Sequence, residues 1–107
     1  MNAPANRPHD EAVVELLKAD PAFADEYLAA ALDEVSEPGG HVALLAALRQ
    51  IAEAQGMSAV AERAGIPRES LYRALSPRGN PTAKTLLAVL HGMGLHLTLA
   101  RPIPANV

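Results

Sequence analysis

The sequence contains no cysteine and no long apolar run, and each absence excludes a class of protein. Without cysteine there is no disulfide framework, no thiolate zinc site and no cysteine nucleophile. No segment approaches the roughly 18 consecutive apolar residues of a membrane-spanning helix, and residues 1–11 lack the apolar stretch of a signal peptide. We therefore expect a cytoplasmic protein with no membrane span.

Aromatic residues are also scarce, at 3% of the chain, although 50% of the residues are hydrophobic. The core must therefore consist of aliphatic side chains and alanine, which suit close-packed helices better than a β-sheet. A chain of 107 residues is long enough for one domain with a modest core.

Catalytic and metal-binding patterns are missing as well. The serines stand in no motif that places a base beside a nucleophile, and the histidines are not paired at helical spacing. The histidines are His9, His41, His91 and His96. We expect neither an enzyme nor a protein with a metal ion or another cofactor.

The charged residues that are present are unevenly distributed. Residues 1–56 carry three basic and ten acidic side chains, a net charge of −7, whereas residues 57–84 carry five basic and two acidic ones, a net charge of +3. With Arg101 beyond them, the whole chain has a net charge of −3. A basic segment beside an acidic one is what a local phosphate-binding surface requires, although chance also produces such asymmetry in short chains.

Apolar spacing predicts helices through most of the first half. Residues 1–8 are expected to be a flexible tail, after which helical spacing begins. Asp20-Pro21 is typical of a helix start, because aspartate can accept a free backbone N–H group and proline fits the first helical turn. A further helix is predicted for residues 41–55, and it completes an acidic helical half at residues 9–56.

The second half is predicted to contain shorter helices. Turn residues separate a helix at about residues 58–64 from another at about residues 68–75. Asn80-Pro81 repeats the pattern of a cap followed by proline, so a third helix is expected to begin there and to stop at Gly94.

The last residues have a different pattern. Leu95, Leu97 and Leu99 alternate with other side chains, which predicts a short β-strand at residues 95–101. A strand must pair with another strand, and since no other segment has this pattern, we expect pairing with a second copy of the chain in a homodimer. The predicted fold is one all-α domain at residues 9–107, with five or six helices and this C-terminal strand.

Residues 57–76 have the features of a helix-turn-helix, in which two short helices cross closely and the second enters the DNA major groove. Ala61 is small enough for the crossing, Gly65 tolerates the left-handed backbone of the turn, and Leu71 supplies an apolar contact with the core. An ordinary helical hairpin would explain the glycine and the leucine, but less well the polar second helix. Residues 57–94 are thus predicted to form a DNA-reading half.

The exposed face of the predicted second helix supplies candidate DNA contacts, which are Arg68, Glu69, Ser70, Tyr72 and Arg73. Arginine fits guanine edges or phosphates, serine and tyrosine can contact phosphate or a thymine methyl group, and glutamate can accept from cytosine. Glu69 suits the positive N-terminus of a helix equally well without any DNA contact. Arg78 and Lys84 are further candidates for phosphate contact, with a solvated surface charge as the alternative.

Residues 59–82 resemble the addiction-module antidote proteins, which are antitoxins. The most specific part is Glu-Ser-Leu-Tyr-Arg-Ala-Leu-Ser-Pro at residues 69–77 together with Gly79-Asn80-Pro81, and the resemblance extends over about residues 10–97. It implies a lambda-repressor-like helix-turn-helix of the HigA type. One departure is Pro67, because the family usually has serine or threonine as the N-cap before the recognition helix.

The resemblance implies two linked functions. The protein would neutralise a small RelE/ParE-like toxin, and it would repress its own operon by binding double-stranded operator DNA, with the toxin complex as corepressor. The acidic half would face the toxin, since such toxins are commonly basic, unless this half is only the solvated face of ordinary helices. The alternatives are a stand-alone transcriptional regulator without a toxin, and a protein-binding module that has lost DNA binding.

Overall fold

The structure, a computed structural model, describes residues 7–102 and contains six α-helices within that range. They are α1 (Arg7–Ala19), α2 (Phe23–Asp33), α3 (Gly40–Gln55), α4 (Met57–Ala64), α5 (Arg68–Ala74) and α6 (Ala83–Gly92). The prediction of an all-α fold with five or six helices is therefore confirmed. None of these six helices is both long and apolar enough to cross a membrane. Residues 1–6 of the predicted tail lie outside the described residues, and Arg7 already belongs to α1.

The central element of the fold is α3, because α1, α2 and α4 all pack against it. Its large apolar side chains recur at spacings of three and four residues, so they form one stripe that faces the core. The buried members of this stripe are Leu45, Leu48, Ile51 and Ala52. They belong to a single hydrophobic cluster that extends from Leu17 in α1 to Met93 after α6. The acidic and the basic halves of the sequence thus share one core.

In the second half, α4 packs against both α5 and α6. The contact with α6 is close at Gly92, where a Cβ atom would lie 2.5 Å from the carbonyl oxygen of Val60 and 3.0 Å from the Cβ atom of Ala64. Val60 is fully buried. The backbones of α4 and α6 are therefore in close contact. Helix α5 packs against α4 and places one face, with Leu71, in the core.

The predicted strand at residues 95–101 is wrong, because these residues form no regular secondary structure in the described chain. Helix α6 ends in a turn in which Gly94 has a φ of 84° and the N–H of Leu95 donates to the carbonyl oxygen of Leu90 at 2.8 Å. This turn directs Leu95 back onto the core. Leu97 and Leu99 are 60% and 94% exposed. The alternating leucines thus have two different roles, because Leu95 contacts the core at the end of α6 whereas Leu97 and Leu99 belong to an exposed tail. The described residues contain no strand that could pair with this tail.

Two predicted helix starts also differ from those observed. The N–H of Asp20 donates to the carbonyl oxygen of Leu16 at 2.9 Å, so Asp20 closes the last turn of α1 and does not cap α2. The N-cap of α6 is Thr82, whose hydroxyl oxygen accepts from the N–H of Thr85 at 3.1 Å, and not Asn80-Pro81. In both places the predicted cap-and-proline pair precedes the helix: residues 21–22 form a turn before α2, and Thr82 lies between Pro81 and α6.

Candidate nucleic-acid interface

A tight turn joins α4 to α5. Gly65 has a φ of 74°, in the left-handed region that glycine adopts without strain. The N–H of Ile66 donates to the carbonyl oxygen of Ala61, and the N–H of Gly65 donates to that of Glu62, both at 3.1 Å. This pair of bonds is a Schellman motif, which ends α4 and turns the chain directly into α5. Ala61 is itself buried, so a small side chain lies where α4 meets its neighbours.

Helix α5 has one buried and one exposed face. Leu71 is fully buried in the core, and so is Leu75, which directly follows the helix. The side chains that face solvent are those of Arg68, Glu69, Tyr72 and Arg73, and Ser70 is half-buried. Pro67 precedes the helix in an extended conformation and supplies no side-chain cap. Five of the seven DNA contacts predicted from the sequence thus lie on this one short helix.

Arg68 and Tyr72 form a pair one helical turn apart on α5. The guanidinium of Arg68 lies over the Tyr72 ring, 5.4 Å from its centroid, and Nη2 donates to the phenol oxygen at 3.3 Å. The hydrogen bond to Tyr72 raises the pKa of Arg68 above its ordinary value. Since arginine is already fully charged in proteins, the contact orients the guanidinium and does not change its charge.

An open cleft of about 420 Å³ lies between α5 and the start of α6. Side chains that line it are those of Ser70, Arg73, Arg78, Thr82 and Thr85. Nη2 of Arg73 lies 3.5 Å from the hydroxyl oxygen of Ser70. The fold therefore brings three of the predicted contact residues together, while Glu69 and Lys84 are exposed outside the lining of this cleft. Two arginines beside hydroxyl groups are suited to binding the oxygens of a phosphate.

The sequence prediction did not include Thr82 and Thr85, which line the cleft at the start of α6. The hydroxyl of Thr82 donates to Oγ1 of Thr85 at 3.2 Å, in addition to accepting from the Thr85 backbone. A signal for them does exist, because threonine is a favoured residue at the N-cap of a helix. Asn80-Pro81, directly before Thr82, has the same type of helix-start pattern, and the prediction therefore placed the start of the helix there.

Arg63 contributes to the positive charge of residues 57–84 but has a different role. Its Nε donates to the carbonyl oxygen of Gly92 at 2.8 Å, and its Nη2 donates to Oε1 of Gln55 at 3.3 Å. The amide of Gln55 in turn donates to the carbonyl oxygen of Met93 at 3.1 Å. Arg63 therefore satisfies the Gly92 carbonyl, and Gln55 that of Met93, at the end of α6, where carbonyl groups lack helical partners. No sequence pattern identifies this role, since the acceptor is a backbone atom of a distant residue.

These features define a small all-helical protein in which a short helix with a basic, solvent-facing surface lies beside an acidic helical half. Within residues 7–102, the histidine and acidic side chains form no group that could hold a metal ion.

The chain belongs to a family described as probable addiction module antidote protein, whose sequence model matches residues 12–101. The predicted resemblance to antidote proteins is thereby confirmed. An antidote counteracts the toxin of its module, so membership implies a toxin partner.

A relative from Haemophilus influenzae, an uncharacterized protein, is 39% identical over 77 residues. The alignment covers 72% of this chain and 79% of that protein. No solved structure matches the chain. The HigA-type architecture and the DNA-binding role thus remain predictions.

Proposed function

We propose that this protein is the antitoxin of a type II toxin–antitoxin module, that it neutralises a RelE/ParE-like toxin, and that it represses its own operon by binding DNA. Its family supports the antitoxin role. The observation that supports DNA binding is α5, a short helix with its apolar face in the core and its arginines in solvent, joined to α4 by a glycine turn. This arrangement suits a helix-turn-helix whose second helix enters the major groove.

In this proposal the residues on α5 read the operator. Arg68 and Arg73 contact guanine edges or phosphates, because the guanidinium fork matches the two acceptors of guanine. Ser70 and Tyr72 contact the sugar-phosphate backbone, and Glu69 accepts from a cytosine amino group. Arg78 and Lys84 bind phosphates beside the groove. Stacking on Tyr72 reduces the conformational freedom that Arg68 would lose on binding.

The operator complex is proposed to contain a homodimer in the cytoplasm. One subunit offers few phosphate contacts, so its affinity for DNA would be weak and steeply dependent on salt. Two subunits on a two-fold operator would place two copies of α5 in successive major grooves about one helical turn apart. The apolar tail with Leu97 and Leu99 is the proposed contact between subunits, since an exposed pair of leucines gains most from burial.

The toxin is proposed to bind the acidic half of the molecule. Helices α1 and α2 expose several carboxylates, among them Glu11, Glu15, Asp25, Glu26 and Asp33. A basic partner would be attracted to this surface, while nucleic acid would be repelled by it. Each partner would therefore bind the half of the chain whose charge it complements.

A gel-shift assay with the DNA upstream of the protein's own gene tests the repressor role. Arg73→Ala is expected to cost about 1–3 kcal/mol of binding free energy, the usual value for a base-reading arginine, and to leave toxin copurification intact. Lys18→Ala is the matched control, because it removes an exposed positive charge from α1, a helix that carries none of the proposed DNA contacts. Failure of the wild-type protein to shift this DNA in low salt would contradict the repressor role and favour a protein-binding module.

Coexpression with the product of the neighbouring gene tests the antitoxin role. A toxin that copurifies with the wild-type chain and with Arg73→Ala would support separate surfaces for the two partners. A chain that shifts DNA but purifies alone, beside no toxic neighbour, would favour the stand-alone regulator. Loss of both activities in Arg73→Ala would mean that the substitution damages the fold, and the assignment of Arg73 would be withdrawn.

A further inference from the structure

Arg49 of α3 is mostly buried between α1 and the end of α5, with its side chain 18% exposed. Its Nη1 donates to the carbonyl oxygen of Leu75 at 3.0 Å. Its Nη2 lies 3.5 Å from Oδ2 of Asp10 in α1. Leu75 is the C-cap residue of α5 and is fully buried. A single guanidinium thus connects α1 to the carbonyl end of the helix that carries the candidate DNA contacts.

Asp10 is held in turn by a partly buried chain of hydrogen bonds, of which Gln50 is the buried member. Nε2 of Gln50 donates to Oδ1 of Asp10 at 2.6 Å, and the hydroxyl of Tyr27 donates to Oε1 of Gln50 at 2.5 Å. Burial, and then the negative charge of Asp10, raise the pKa of Tyr27 above its ordinary value. Asp10 therefore presents a fixed carboxylate to Arg49, and α1, α2 and α3 all contribute to its position.

Helix α5 is short, and such a helix depends on its contacts for its orientation. Its helical packing partner is α4, and its C-terminal end carries carbonyl groups that have no partner inside the helix. A cation at these carbonyls is favoured both by the hydrogen bond and by the helix dipole. The Arg49–Leu75 bond thus fixes the end of α5 opposite to the glycine turn.

We propose that Arg49 is a positioning residue for DNA binding, which holds the C-terminal end of α5 in place while Asp10 orients its guanidinium. This inference rests on the proposed reading of DNA by α5. Arg49 does not itself contact DNA, because it is mostly buried and both of its Nη atoms are engaged inside the protein. Its effect on affinity arises from the placement of Arg73 and its neighbours in the groove.

Arg49→Met tests the proposal, since methionine keeps an unbranched apolar stem and removes the guanidinium. Arg63→Met is the matched control, because Arg63 makes the same kind of bond to the end of α6, which does not carry the proposed base contacts. Both variants are expected to lose stability, so affinity for the upstream DNA is measured where circular dichroism shows both to be folded. We expect Arg49→Met to bind about tenfold more weakly, and Arg63→Met to change by less than about twofold, as one charge-assisted hydrogen bond implies. Equal losses in the two variants would overturn the proposal.

A double-mutant cycle tests the part played by Asp10. Asp10→Asn retains an oxygen that can accept from Gln50 but removes the charge that faces Arg49. Alone it should weaken binding about threefold, and in the Arg49→Met background it should have no further effect, because residues in one network are not additive. Independent losses at the two sites would show that Asp10 does not act through Arg49.

The dependence of affinity on salt separates positioning from direct contact. Affinity for DNA falls as salt rises, and removing one phosphate contact makes the plot of log affinity against log salt less steep by about 0.9. Arg49→Met should retain the wild-type steepness, whereas Arg78→Ala should reduce it. A less steep plot for Arg49→Met would mean that Arg49 binds phosphate directly, and its assignment as a positioning residue would be wrong.

Amide hydrogen exchange of the free protein distinguishes a failure of the positioning role of Arg49 from a failure of the repressor role. The N–H of Leu75 donates to the carbonyl oxygen of Leu71 at 3.1 Å, and this bond lies at the end that Arg49 holds. Arg49→Met should speed exchange at Leu75 relative to α4, and Arg63→Met should not. Unchanged exchange at Leu75 would refute the positioning role even if wild-type protein binds DNA. Faster exchange without any DNA binding by the wild type would show that Arg49 fixes the end of α5, and it would reject both the repressor role and the contribution of Arg49 to DNA binding.

Discussion

Gly92 allows α6 to pack directly on the backbone of α4. A methyl group at this position would lie 2.5 Å from the carbonyl oxygen of Val60 and 3.1 Å from the backbone nitrogen of Ala64. The carbonyl oxygen of Gly92 meanwhile accepts the Nε of Arg63 at 2.8 Å. Since the residue is packed on one side and hydrogen-bonded through its carbonyl, a side chain here could be accommodated only by moving α6 away from α4.

Gly92→Ala is therefore expected to destabilise the protein by about 1–3 kcal/mol, the usual cost of overpacking a core. Helix propensity alone predicts the opposite sign, because alanine is favoured over glycine by about 1 kcal/mol inside a helix. Urea denaturation followed by circular dichroism measures the difference. An equal or higher midpoint for the variant would show that α6 can move without cost and that the contact is loose.

The arginines show what the sequence can and cannot specify about single residues. Charge counting predicts the basic segment at residues 57–84, and helical spacing places Arg68 and Arg73 on the exposed face of α5. Charge counting does not separate Arg63 from the candidate DNA contacts of the same segment, and it gives no role to Arg49, which lies in the acidic half. Both arginines donate to backbone carbonyl oxygens, at 3.0 Å for Arg49 and 2.8 Å for Arg63. Those acceptors belong to residues far along the chain, so these structural roles become visible only when the helices have packed.

At the scale of helices, α5 begins without a side-chain cap. Pro67 has the extended backbone of an N-cap residue, with φ of −62° and ψ of 148°, but the proline side chain has no oxygen that could accept from the free N–H groups of the first turn. We expect Pro67→Ser to be more stable than Pro67→Ala by about 1 kcal/mol, since serine supplies the missing acceptor. Thermal unfolding of the two variants provides the measurement. The comparison removes the proline ring from both, so its effect on the unfolded chain cancels.

Equal stability of the serine and alanine variants would show that the first turn of α5 is satisfied without a cap. In that case Pro67 is merely a rigid connector, and the departure from the family's usual residue has no energetic consequence. Wild-type protein is included in the series, because proline itself stabilises a compatible site by about 0.4–1 kcal/mol.

Helices were predicted well where apolar spacing and a terminating glycine coincide. The helices predicted at residues 41–55 and 58–64 are α3 and α4, each observed to begin one residue earlier, and they end before Gly56 and Gly65. The strand prediction failed because period-two spacing over three leucines has more than one structural cause. Leu95 is placed by the turn at the end of α6, and only Leu97 and Leu99 belong to the tail. A cap at the end of a helix is defined by three-dimensional hydrogen bonds, which spacing does not reveal.

At the scale of the whole molecule, one core supports two oppositely charged regions. The hydrophobic cluster includes residues of α1, α2 and α3 as well as of α4, α5 and α6. The partly buried chain from Tyr27 through Gln50 and Asp10 adds a polar connection, which reaches the end of α5 through Arg49. In the proposed function, a partner on the acidic half and DNA on α5 would thus bind to one body.

The tail after α6 holds the two most exposed of the large hydrophobic side chains in the described residues, Leu97 and Leu99. It borders a groove of about 180 Å³ that leucines of α2, α3 and α6 line together with Leu95 and Leu97. Leu99, two residues beyond Leu97, is almost entirely in solvent, with 94% of its surface exposed. Burial of such side chains yields about 1.5–3 kcal/mol each, so two copies that cover each other's tails gain from four leucines at once.

Cutting the chain after His96 should therefore convert a dimer into a monomer in multi-angle light scattering. This cut keeps Leu95, whose contact with the core ends α6, and removes Leu97 and Leu99. An unchanged circular dichroism spectrum checks that the shortened chain is folded. Loss of the dimer should also weaken binding to the upstream DNA, because a single α5 makes few phosphate contacts. A dimer that survives the cut would place the subunit contact elsewhere, and a wild-type chain that is monomeric at all concentrations would reject the homodimer itself.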